Sequence, residues 1–190
     1  MPRAGLSAER ITSAAADLAD TAGLDGVTLS ALARGFGVKD ASLYSHIGGV
    51  RDLRTRIALL ATREMTDRIA AAVAGRAGRD ALRAFADAYR AYALEHPGRY
   101  AATQLPLDPA AYADDPGFRR SVELTYGMLR GYGLEEPDAT DAGRLLRATF
   151  HGYVNLEASG GFGAPRPVHA SWQQGIEALH RVLANWPTSP

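Results

Sequence analysis

Few residues of this chain are arranged to do chemistry. Five histidines, His46, His96, His151, His169 and His180, are the first to weigh for metal binding or proton transfer. No HExxH motif, no cysteine and no histidine pair at i, i+4 accompanies them. His151 and Glu157 stand six apart and do not share a helix face. Gly160, Gly161 and Gly163 follow a helical pattern rather than a strand, unlike a phosphate loop. No catalytic residue, metal site or cofactor is expected. A coherent set of polar residues lies instead between Thr28 and Leu53, TLSALARGFGVKDASLYSHIGGVRDL. Its chemistry is hydrogen bonding to the edges and phosphates of a nucleic acid.

The elements that must position this set can be read from spacing. Leu29, Leu32, Ala33 and Phe36 recur at helical intervals, Gly37 interrupts them, and Leu43 and Ile47 resume. Two short helices joined by a tight turn follow, a candidate helix-turn-helix. Gly37 supplies the left-handed conformation that ends the first helix, and Val38 plugs the corner. The second helix then projects, with Asp40, Ala41, Ser42, Tyr44, Ser45 and His46 on its outer surface. Lys39, Tyr44 and His46 would hold phosphates and set register, and Thr28 would offer a hydroxyl and a helix N-terminus to another phosphate. A half-buried core tyrosine is the alternative for Tyr44, and an ordinary surface histidine for His46. Asp40 has two readings: a cap for the projecting helix, or an acceptor for a cytosine amino group.

This stretch resembles the tetracycline-repressor (TetR) family of bacterial transcriptional regulators. The resemblance is carried by Leu6-Ser7-Ala8-Glu9-Arg10-Ile11, Gly23-Leu24, Thr28, Leu32-Ala33, Phe36-Gly37-Val38, Ser42-Leu43-Tyr44, His46 and Asp52-Leu53. It implies that Ser30, Ala41 and Ser42 face the groove, where Ala41 can touch a thymine methyl and the serines can bond bases or phosphate. Three positions depart from the family pattern: Lys39 in place of a capping serine or threonine, Gly48-Gly49 in place of polar residues, and Val50 in place of lysine.

Composition sets outer bounds. The chain has 190 residues, 46% of them hydrophobic, and a formal net charge of zero, enough to bury a substantial core without a general basic coat. Residues 1 to 56 hold seven Lys/Arg against six acids, so even the reading head is barely basic. No cysteine, no signal peptide and no run of 18 apolar residues is present, and a cytoplasmic protein with no membrane partner is expected.

The rest of the chain has helical period throughout, so the expected fold is all-α: a three-helix DNA-binding domain over residues 1–50, then a helical-bundle regulatory and dimerisation domain over 51–190. The first helix should start after Ser7 and end near Gly23, with Ile11, Ala14, Ala15, Leu18, Ala19 and Ala22 as its apolar stripe. Thr28 should cap the second. Long helices are expected over 52–74, from Asp80 to His96, from Pro116 to about Gly131, from Pro137 to about Ser159, and from near Ser171, where Ser171 and Gln174 have capping-box spacing. A short helix should run from Arg99 to Leu105.

In the second half, residues 88–100 and 151–163, including His151-Gly152-Tyr153, resemble the WHG-type C-terminal domain of one TetR branch. That resemblance implies a homodimer built through the last two long helices, with Leu145, Leu146, Tyr153, Leu179, Leu183 and Trp186 as interface candidates; ordinary intrachain core is the alternative for each. Tyrosines and a few polar groups among apolar positions, Tyr89, Tyr92, Tyr100, Gln104, Tyr126, His151 and Asn155, are candidates for a small-molecule inducer pocket, again with core as the alternative. The expected function is a homodimeric regulator, by family expectation a repressor, that reads a palindromic double-stranded DNA operator through the major groove and is released by a ligand. The alternative is a helical ligand-binding or interaction protein with a weakened reading head.

Overall fold

The computed structural model describes residues 5–187. Among them the chain forms ten helices and no strand, the all-α architecture expected, with a helix-turn-helix first and a helical domain after it. They group into two compact units: the described residues up to Glu64 together with Glu95–Arg119, and Met65–Leu94 together with the described residues from Arg120 onward. Compactness thus groups more than residues 1–50 with the reading head.

In the first unit, α1 (Ala8–Gly26) starts where expected. Ser7 is extended and its hydroxyl accepts from the Arg10 N–H. The Glu9 carboxyl in the first turn is held below the ordinary glutamate range, chiefly by its own backbone N–H and then by the Ser7 hydroxyl. Gly23 leaves helical geometry at φ 73° and ψ 165°, and a further turn carries the chain to Gly26. α2 (Leu29–Phe36) is capped by Thr28, whose hydroxyl accepts from the Ala31 N–H at 3.1 Å. It ends at Gly37, left-handed at φ 68°, with the Val38 N–H returning to the Ala33 carbonyl. α3 (Ala41–Tyr44) and the opening half of α4 (Val50–Val73) complete the reading head.

Ile11, Ala15 and Ala19 of α1, Leu29, Leu32 and Ala33 of α2, Leu43 and Ile47, and Leu53, Ile57 and Ala58 of α4 form one buried cluster. Arg10 lies over the Phe36 ring at 5.8 Å and ties α1 to α2. The same core takes Ala102, fully buried, and Leu105 and Leu107 packed against it. These come from α6 (Pro97–Ala102) and its exit, which starts two residues before the expected Arg99 because Pro97 fits the first helical turn. α6 sits against α1 backbone to backbone. A Cβ on Gly98 would lie 2.0 Å from the Ala19 carbonyl carbon and oxygen. Arg99 reaches Asp17 at 2.6 Å, Asp20 and Glu64, and Asp20 also accepts from the Arg99 backbone N–H at 2.8 Å and contacts His96 Nδ1 at 3.1 Å. A short α7 (Pro109–Tyr112), unexpected from sequence, is capped by Asp108.

In the second unit, α5 (Gly78–Glu95) buries Leu82, Phe85, Ala86, Tyr89, Tyr92 and Ala93. α8 (Pro116–Arg130) follows, and α5 meets α9 (Asp138–Ala158) and α10 (Val168–Ala184) around Phe150, whose ring lies 6.2 Å from Phe85, 5.5 Å from Tyr89 and 5.6 Å from Trp172. The Trp172 indole N–H donates to Asp87 at 2.8 Å, and Arg90 pairs with Glu157. One cap expectation is corrected. α10 begins at Val168, directly after Pro167, so Ser171 lies inside the helix with its N–H bonded to the Pro167 carbonyl, and no Ser171–Gln174 capping box forms.

Gly98→Ala is expected to force α6 off α1 and lower stability by at least about 1–3 kcal/mol, the usual cost of overpacking. A urea denaturation midpoint unchanged from the parent would contradict this close approach.

Candidate nucleic-acid interface

The reading head presents its polar residues through a small number of buried anchors. Leu43 and Ile47 are fully buried and fix α3 against the core, which leaves the intervening side chains outside. Tyr44 is 61% exposed, so the half-buried core alternative falls. Ser30, Lys39, Asp40, Ala41 and Ser45 are exposed, while Ser42 and His46 are half-buried. The exposed Thr28 uses its hydroxyl in the cap of α2. All eight sequence-derived contact candidates therefore lie on the helix-turn-helix, six of them at α3, its edges or its turn, with Thr28 at the cap of α2 and Ser30 in its first turn.

Asp40 does not cap α3. Its backbone is helical, at φ −50° and ψ −41°, rather than extended as a capping residue requires, and its carboxylate accepts no hydrogen bond from the following N–H groups. Oδ2 instead accepts the Ser30 hydroxyl at 2.5 Å. This contact joins α2 to α3 across ten residues, a separation at which the sequence offers no periodic signal. The sequence reading also passed over Arg34 and Arg51, both exposed on this unit. Their charge alone could have drawn attention to them. Gly49, read as a departure from the family, has φ 123°, a conformation that favours glycine, and the Gly48 N–H donates to Asp52 at 2.8 Å at the start of α4.

The regulatory candidates are dispersed. Tyr89 and Tyr92 are buried in the second unit. The Tyr126 hydroxyl meets Thr140 at 2.9 Å, and Asn155 lies 3.0 Å from the His151 ring along α9. Tyr100, buried on α6, and Gln104, bonded to the Thr103 hydroxyl at 2.8 Å, belong to the first unit. A pocket of about 220 Å³ between α5 and α10 is lined by Arg79, Arg83, Gln173, Gln174, Ile176 and Glu177, none of them among the seven. Of the interface candidates, Leu146, Leu179 and Leu183 are buried within the second unit's own core. Tyr153 packs edge-on to Trp172 at 5.0 Å and Trp186 is half-buried. Leu145 is exposed, as are Leu156 and Val182, which the sequence reading had not proposed as contacts.

A short helix held outward by two buried anchors, behind a glycine turn and a capped helix, defines a helix-turn-helix protein. Residues 82–179 match the family described as "Tetracyclin repressor-like, C-terminal domain". The chain is 36% identical over 162 residues, 83% of its own length and 72% of the relative's, to an uncharacterized HTH-type transcriptional regulator, Rv0681, of Mycobacterium tuberculosis. Among solved structures, a protein of unknown function from Rhodococcus sp. RHA1 superposes with a TM-score of 0.79 at 26% identity, covering 97% of this chain and 99% of that one. BioQ, solved with its natural double-stranded DNA operator, shares the fold with a TM-score of 0.68 at 20% identity, over 95% of this chain and 99% of that one. The chain belongs to the TetR family of transcriptional regulators.

The two helix starts respond differently to substitution. Thr28→Ala is expected to cost about 1 kcal/mol, the usual worth of a cap, whereas Asp40→Ala should stay within about 0.5 kcal/mol as a surface change. Thermal denaturation of both variants checks this, and equal losses would restore a capping role to Asp40.

Proposed function

We propose that this protein is a homodimeric repressor that reads a palindromic double-stranded DNA operator with α3 in the major groove and lets go when a small molecule binds its C-terminal half. The observation that carries the reading is the outward face of α3, with Tyr44 61% exposed while Leu43 beside it is fully buried. A single large aromatic held out of a helical core is explained by a surface it grips. Ala41 touches a thymine methyl, Ser42 bonds a base or phosphate, Ser30 stands beside them at the groove with its hydroxyl donated to Asp40, and Tyr44, His46, Lys39 and Thr28 hold the backbone on either side. BioQ, which shares the fold, has been solved with its natural double-stranded DNA operator.

The dimer follows from symmetry and from exposure. One helix-turn-helix reads one half-site, and a two-fold pair places two of them about 34–36 Å apart, one turn of the duplex. With so little net positive charge on the head, pairing multiplies weak contacts at one association cost. Leu145 and Leu156 on α9 and Val182 on α10 are 38%, 47% and 42% exposed, and Ala148 and Ala178 are exposed on the same helices. Leu145, Ala148 and Leu156 recur at helical spacing opposite the buried Leu146, Phe150 and Val154, an apolar face that a second copy would cover. Trp186 and Tyr153 lie beside this region as half-buried residues.

For the ligand, Tyr126, His151 and Asn155 are the candidates with polar atoms nearest the surface of the second unit, while Tyr89 and Tyr92 would serve as an apolar wall. Tyr100 and Gln104 are the candidates whose motion would be felt in the head's own unit. The helix Val50–Val73 begins in one compact unit and ends in the other, so it is the element along which a coupling of about 1–3 kcal/mol would pass. A ligand acts only through unequal affinity for the two spacings of the heads.

Selection from a random duplex library is expected to return an inverted repeat with half-sites one turn apart, bound with a steep loss as salt rises. Tyr44→Ala should weaken every selected sequence alike and Ala41→Gln should change the preference at one base. Lone half-sites would remove the dimer, and salt-independent binding would favour a helical ligand-binding protein over a regulator. Titration of metabolite pools into a labelled operator complex should release the DNA; a complex that survives every pool removes the inducer.

A further inference from the structure

One exposed charge on the reading head has no obvious place on a surface that meets a polyanion. Asp40 stands immediately before Ala41, at the leading edge of α3, the end of a recognition helix that contacts base edges. It forms no ion pair among the described residues, although Arg34 and Lys39 are exposed on the same unit. The only hydrogen bond of its carboxylate among the described residues is the one that Oδ2 accepts from the Ser30 hydroxyl. That bond engages Oδ2 and leaves Oδ1 without a partner among the described residues, on a residue that neither caps the helix nor packs in the core.

We infer that Asp40, oriented by Ser30, is the residue that selects cytosine at one position of each half-site. This rests on the reading of the chain as a DNA-binding regulator. A carboxylate brought into the major groove loses its water and faces the field of the phosphates, so it is tolerated only where a donor replaces the water. Two bases offer one there. Cytosine presents its N4 amino group, whereas adenine presents its N6 amino group beside the N7 acceptor, which repels the second carboxylate oxygen. Guanine O6 and N7 and thymine O4 are acceptors and repel both. The carboxylate therefore contributes little to affinity and much to discrimination, by making the wrong base costly. Ser30 is a positioning residue here: with its hydroxyl occupying Oδ2, the other oxygen is the one turned to the base.

The test is the selected sequence itself. The full-length protein and its Asp40→Asn, Asp40→Ala and Ser30→Ala variants are each put through selection on a random duplex library, and affinities are then measured on operators altered at the assigned position. The parent should require cytosine at one symmetric pair of positions, with a loss of about 5- to 100-fold for another base there. Asn offers one donor and one acceptor and matches adenine N6 and N7, so Asp40→Asn should move the preference from cytosine to adenine at that position alone. Asp40→Ala should accept all four bases there while keeping the rest of the site, and Ser30→Ala should blunt the cytosine preference without replacing it. A parent and an Asp40→Asn variant that return the same palindrome would overturn the assignment and leave Asp40 as a brace between α2 and α3. A parent that selects no sequence at all would instead overturn the regulator reading on which the assignment stands.

Discussion

The close approach of α6 to α1 is the constraint on which the reading head depends. With no side chain at Gly98, two helix backbones come into direct contact at Ala19, and the groups around the contact are charged rather than apolar. Arg99 is 11% exposed and Asp20 13%, and they pair with one another and with Asp17, Glu64 and His96, although Arg99 Nε makes no hydrogen bond among the described residues. Such a group holds geometry more than it adds stability, because bringing the charges out of water offsets much of their attraction. α1 in turn lies under both helices of the helix-turn-helix, through Ile11, Ala15 and Ala19. The angle at which α3 leaves the surface is thus set by a contact made more than fifty residues further along the chain.

Local features were readable because they rest on local physics. Ser7 and Thr28 as caps and Gly37 as a left-handed stop follow from one turn of backbone and stand as expected, while the end of α1 expected near Gly23 is a break there followed by one further turn to Gly26. The family and the all-helical fold were legible for the same reason, since the resemblance is carried by residues that make the turn. What could not be read were events between distant residues. The Ser30–Asp40 bond, the seating of Ala102, Leu105 and Leu107 in the head's core and the Arg99 cluster leave no periodic trace. The start of α10 was misplaced because a serine at capping spacing outweighed Pro167, a stronger signal that lies only a few residues upstream. The distribution of burial in α9 and α10 was also beyond reach: alternating apolar residues on a helix do not reveal which of two faces meets its own subunit, and Leu145 and Leu146, adjacent in sequence, fall on opposite sides of that question.

A reading head with almost no net charge has a consequence for how contacts are apportioned. In a strongly basic protein, nonspecific attraction to phosphate dominates and sequence contacts add a margin. Here an exposed acid at the leading edge of α3 and few surplus cations would reduce that background, and the proposed reading puts the discrimination in individual side chains. On the proposed reading, an exposed aromatic, two small residues and the Asp40 carboxylate form a sparse set in which each member would carry a distinguishable role.

Leu105 and Leu107 have an implication for how such proteins can diversify. They lie beyond α6 in the chain, yet they line the hydrophobic interior beneath the helix-turn-helix. A genetic exchange that joined residues 1–64 to an unrelated C-terminal half would bring in foreign side chains at those seats and leave the inherited interior exposed. If the later helices bind an effector as proposed, new specificities would be easier to reach by point substitution within them than by swapping whole modules, unless the few residues that return to the interior travel with the segment they complete.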